Sequence, residues 1–122
     1  MKQTDEWKPL ALETYRAARR VFDKPGAHAY EVKDTYKRSL DADGNPVYHD
    51  DPAAVCWDLL GAICLSYKGG DSRQTLLEIE REIKLMTGRW LSWYQIELDR
   101  GQEGVVELLD RLIARLEKET AK

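Results

Sequence analysis

The stretch AVCWDLLGAICLSY, residues 54–67, is the most apolar in the chain, and it carries a single carboxylate, Asp58. It is apolar nearly all round yet too short to cross a bilayer, which needs about 20 apolar residues. Such a run must be buried in protein, so it predicts a central helix against which the rest of the chain packs. DDP gives its start, with Asp50 or Asp51 as cap and Pro52 in the first turn. KGG, ending in Gly69 and Gly70, gives its stop. The spacing therefore predicts a helix over 52–67.

Three further helices follow from periodicity. Lys8-Pro9 opens the first, over 9–24, and KPG closes it. Leu10, Leu12, Tyr15, Ala17, Ala18, Val21 and Phe22 give it apolar stripes at helical spacing. Asp71, with Gln74 three residues later, resembles a capping box for a helix over 72–87, closed by Gly88. Its stripe is Leu76, Ile79, Ile83 and Met86, which leaves Glu78, Arg81, Glu82 and Lys84 to face water. Val105, Leu109, Leu112 and Leu116 carry a last helix over 102–118.

Between the first two helices, a small β-hairpin is predicted near 35–48. Its pieces around Tyr36–Leu40 and Pro46–Tyr48 flank the turn DADGN, where Gly44 supplies the positive φ. RWLSWYQIELD, residues 89–99, supports two structures: Tyr94, Ile96 and Leu98 alternate like a strand, whereas Trp90 and Trp93 suit a helical turn or a packed loop. The fold class is mainly α: about four helices around a buried central helix, plus the hairpin, in one domain over 1–122. With 43% apolar and 34% charged residues, the composition is that of an ordinary globular chain.

Few motifs carry chemistry. His28, His49, Asp41, Asp43, Asp50 and Asp51 are the candidate metal ligands. DADGNPVYHDDP opens like a calcium loop, but its glycine comes at the fourth position and Pro52 stands where the bidentate Glu belongs. No histidine pair sits at ligand spacing and there is no C-x-x-C, so no metal or cofactor is expected. Ser39, Ser66, Ser72 and Ser92 lack a nucleophile-elbow context, and YKGGDSRQ lacks the lysine of a phosphate loop. Cys56 and Cys64 on one helix would lie about 12 Å apart, beyond disulfide reach. They read as reduced core thiols of a cytoplasmic protein. The opening MKQTDEWKPL contains no apolar signal region.

The net charge of −3 is unevenly spread. Residues 1–38 hold nine Lys/Arg against six Asp/Glu, and residues 39–122 hold ten against sixteen. Arg16, Arg19 and Arg20 form a basic row on the first helix, to which Lys37 and Arg38 add; such a row meets phosphates or an acidic protein, or is equally a solvated face. Trp90 and Trp93 form a second core layer or supply aromatic anchors at an interface. Ala54, Asp58, Gly61, Ala62 and Leu65 share one face of the predicted central helix. Three of the five are small, so another backbone should approach closely there. Asp58 belongs to a structural polar core, accepting from a loop amide, a tryptophan N–H or an arginine, because a buried carboxylate needs a partner.

Asp41, Asp43, Gly44, Pro46 and Val47, followed by Ala54, Trp57, Gly61 and Ala62, resemble a small uncharacterised family of bacterial and phage proteins. That family shows a D-x-D-G-x-P-V turn, then a helix with A-x-x-W-C-x-x-G-A, and a final helix after an aromatic-Asn-Asp segment. The resemblance spans about residues 10–113, one domain's length. Asp58 stands at the family's cysteine, and Tyr94-Gln95 replaces its Asn-Asp. The resemblance implies the fold outline and a bacterial or phage origin. The function expected is a non-enzymatic protein-binding module, a phage- or mobile-element-encoded inhibitor or modulator of a host or defence protein. The alternatives are a small-ligand- or nucleotide-binding protein with a pocket near Asp58, and a nucleic-acid-binding accessory protein.

Overall fold

The computed structural model describes residues 6–30, 37–89 and 93–121, and at 93 and 94 the backbone alone. The protein is mainly helical, with a small antiparallel sheet. In chain order the elements are α1 (Trp7–Val21), β1 (Ser39–Leu40), β2 (Pro46–Val47), β3 (Cys56–Trp57), α2 (Leu59–Ser66), α3 (Ser72–Thr87) and α4 (Trp93–Thr120).

α1 and α4 each pack against all three other helices. Val105, Leu108, Leu109, Leu112 and Leu116 share one face at helical spacing (i, i+3, i+4, i+7) and are fully buried. Against them α1 sets Ala11, Leu12, Tyr15 and Ala18, α2 sets Leu59, Ala62 and Ile63, and α3 sets Ile79 and Ile83. The Tyr15 hydroxyl donates to the Thr75 carbonyl at 2.5 Å, which ties α1 to α3. Burial pushes the Tyr15 hydroxyl pKa well above its ordinary value.

α3 keeps its expected bounds because both ends are chemically marked. Asp71 accepts from the Gln74 N–H at 3.1 Å, and Gly88, at φ 79°, takes the left-handed C-cap. The outward face expected for Glu78 and Glu82 is corrected: both are buried. Arg115 donates to Glu78 and to Glu82 at 2.9 Å each, and Arg111 donates to Glu82 at 2.9 Å. The arginines come from α4, so burial of these carboxylates is paired burial.

The second apolar run folds differently from the expected helix over 52–67. Asp51 closes a short turn, accepting from the Ala53 N–H at 2.8 Å. Cys56 and Trp57 then pair antiparallel with β1 as a third strand. The helix begins only at Leu59. Cys64 is exposed and Cys56 half-buried, so the expectation of two core thiols does not hold; both are free. The hairpin is present as β1 and β2, joined by a turn that Asp41 organises. Its Oδ1 accepts from the Asp43 and Asn45 amides, both at 2.9 Å, and Gly44 takes φ 85°. Residues 35 and 36 of the expected hairpin lie outside the described residues. The sheet order is β2-β1-β3, and His28 forms a parallel bridge to Trp57 on the far side of β3.

Two helices also differ in their bounds. α1 runs from Trp7 to Val21 rather than over 9–24, and α4 extends the expected 102–118 back to Trp93. The described part of the ambiguous 89–99 segment is therefore helical from 93 onward. α4 breaks at Gly101, whose φ of 61° and ψ of −146° only glycine adopts readily.

A polar cluster at the start of α2

Asp58 is the N-cap of α2, not a residue within a helix. Its Oδ1 accepts from the Gly61 N–H at 2.6 Å. Its own N–H donates to the Arg38 carbonyl at 3.2 Å, and Arg38 Nη1 lies 3.5 Å from Oδ2. Gly61 shows why the small face matters. A Cβ there would sit 2.6 Å from the Arg38 carbonyl oxygen and 2.8 Å from Arg38 Cβ, so the approaching backbone is that of the residue before β1. Burial raises the Asp58 pKa; the Gly61 N–H opposes this, Glu97 adds to it, and Arg38 opposes it.

The second carboxylate of the cluster comes from α4. Glu97 Oε1 accepts from the Leu59 N–H at 2.7 Å and lies 2.7 Å from His28 Nε2. Two of the first three amides of α2 are thereby met by carboxylates, which satisfies donors with no partner inside the helix and places negative charge at its positive end.

His28 is held from several sides. Its backbone N–H donates to Gln102 Oε1 at 3.0 Å, and Phe22 meets its ring edge-to-face at 5.8 Å. Gln102 Nε2 in turn donates to the Phe22 and Lys24 carbonyls at 3.0 and 2.9 Å. The break at Gly101 thus sits between the residue group carrying Glu97 and the side chain that fixes the His28 loop. A cavity of 390 Å³ opens beside this pair, lined by His28, Ala29, Tyr30, Leu40, Glu97 and Leu98. That volume falls within the usual range of small-molecule sites.

A second, smaller cleft of 220 Å³ lies between α2 and α3. Leu60, Ile63, Cys64, Tyr67 and Leu76 give it an almost wholly apolar wall. Burial raises the pKa of the Cys64 and Cys56 thiols, the reverse of what a thiolate nucleophile requires.

The residues singled out for a partner do not converge. Arg16 donates to Glu117 at 2.7 Å, and Arg19 to Asp110 at 2.8 Å and to Asp23 at 2.7 Å. These two pair across to α4, and Arg19 also pairs with Asp23 just beyond α1. Arg20 is exposed. Lys37 stands over the Tyr48 ring at 5.5 Å, and Arg38 faces Asp58. Trp90 lies outside the described residues, and of Trp93 only the helical backbone is described. Among the described residues, no three His, Cys, Asp or Glu side chains gather to hold a metal ion. No helix is long and apolar enough to cross a membrane among the described residues.

Glu97 and Gln102 carry no sequence motif, and His28 entered only as a possible metal ligand. Their one signal is indirect: helical continuation back from 102 places Glu97 near the core-facing side beside buried Ile96. No known protein family matches the chain, and neither does any characterised protein or solved structure.

Proposed function

We propose that this chain is a small-ligand-binding domain whose site is the cavity beside His28 and Glu97. One observation carries this reading: two buried, mutually bonded polar side chains, locked by Leu59 and Gln102, stand on the wall of a cavity of 390 Å³. Side chains fixed in advance at the edge of a partly apolar cavity bind a ligand without an ordering cost. Free cysteines fit a cytoplasmic setting. The test is a fragment screen read by amide chemical shifts. Ligands should move Ala29, Leu40, Glu97 and Leu98 together. A screen in which no compound moves that group removes the reading.

The α2–α3 cleft favours a second reading, a protein-binding module of the kind a phage or mobile element encodes to inhibit a host or defence protein. The cleft has the size and apolarity to take one large aliphatic or aromatic side chain of a partner. Leu76→Arg would block it. A partner whose binding survives that substitution does not use the cleft.

A further inference from the structure

We infer that the cavity beside Glu97 and His28 selects a small organic cation, a primary amine on an apolar body. The inference rests on the ligand-binding reading and adds the ligand's chemical class. It starts from the proton between the two side chains. Glu97 Oε1 lies 2.7 Å from His28 Nε2, and the tautomer that donates to the carboxylate carries its proton on Nε2 and presents Nδ1 as an acceptor. Nδ1 and Glu97 Oε2 have no hydrogen-bond partner among the described residues. Ser39 Oγ is the one fully enclosed side-chain polar atom there without a partner, so Nδ1 and Oε2 are not sealed off. Their residues line the cavity, and the cavity is where a ligand meets them.

Both open atoms are acceptors, and one belongs to a carboxylate. A ligand that satisfies them must donate, and it gains most if it is positive. Among the described residues, no Lys or Arg lines the cavity. The Arg38 guanidinium is turned toward Asp58, with Nη1 3.5 Å from Oδ2. An anion such as a phosphate would meet the Glu97 carboxylate and, among the described lining residues, no lysine or arginine. The remaining wall, from Ala29, Tyr30, Leu40 and Leu98, suits an apolar body.

Three probes of nearly equal shape separate the possibilities: benzylamine, benzyl alcohol and benzoate, each titrated by calorimetry with amide shifts recorded in parallel. Benzylamine should bind with shifts at Ala29, Glu97 and Leu98, and Glu97→Gln should weaken it about tenfold or more, the loss of a charge-assisted hydrogen bond. Because Glu97 also caps α2, Leu98→Arg serves as a second variant. Leu98 is 56% exposed, so the fold tolerates the change while the new charge repels the amine. Alcohol or benzoate binding at the same amides as tightly as benzylamine overturns the cation inference and leaves the ligand-binding reading standing. Equal benzylamine affinity in wild type and Leu98→Arg also overturns the inference. No shift at those amides with any probe, and none in the fragment screen, overturns both.

Discussion

Where α3 meets α4, Glu78 and Glu82 face two arginines; at the start of α2, Asp58 and Glu97 face amides, an imidazole and one distant guanidinium. All four carboxylates are nearly excluded from solvent. In the first group, charge is met by opposite charge from a neighbouring helix. In the second, the carboxylates meet two of the first three α2 amides with no close guanidinium on Glu97, and the group opens onto a cavity. The first arrangement is what helix packing needs. The second has an unspent acceptor, which is why it and not the first is the candidate site.

The comparison breaks most visibly at Arg115. Its removal leaves Glu78 without its close cation and Glu82 with only the half-exposed Arg111. Arg115→Ala should cost about 3 kcal/mol, the low end for breaking a buried pair. Denaturant unfolding measures this, and a loss below about 1 kcal/mol would place the pair among ordinary surface bridges. Glu97→Ala strips the acceptor from both Leu59 N–H and His28, and a loss of about 1–3 kcal/mol in the same assay is expected.

Asp58 sharpens the contrast at smaller scale. Asp58→Ala should cost about 1 kcal/mol as a lost N-cap, whereas Asp58→Asn, which caps equally well, should cost less than half of that. If the two variants melt together, the cap is not what Asp58 contributes. The smallest effect is in pH. The folded chain holds the Asp58 proton more tightly than the unfolded chain, whose pKa is near the ordinary 3.8. The resulting stabilisation is complete below that value and is lost as pH rises through the raised folded value. The stability of the wild type relative to Asp58→Asn should therefore fall between about pH 4 and neutrality. A rising difference would mean that Arg38 outweighs burial.

The parts legible in the sequence were those with local chemistry. Asp71 and Gly88 mark the ends of α3, and Asp41 with Gly44 marks the hairpin turn. The start of α2 was misread because an all-round apolar run has no periodicity to separate a strand from a helix. Asp58 was the missing sign: an aspartate inside such a run is the natural cap at which Cys56-Trp57 ends as strand and Leu59 begins as helix. Glu78 and Glu82 read as outward because their arginines lie roughly thirty residues away along the chain, at a distance no local pattern reports. Glu97 was hidden for the same reason, since both groups that bond its Oε1, at positions 28 and 59, come from other elements.

Gly101 makes α4 a rod with a joint. The long arm, from Gln102 onward, is bolted to α1 and α3 by leucines and arginines. The short arm carries Glu97 four residues away, about 6 Å along the axis at 1.5 Å per residue. Over that lever, a tilt of about 10° displaces the Glu97 backbone by about 1 Å, the difference between a hydrogen bond made and one lost. Two torsion angles of a single residue therefore set the aim of a carboxylate that closes a helix, orients an imidazole and walls a cavity.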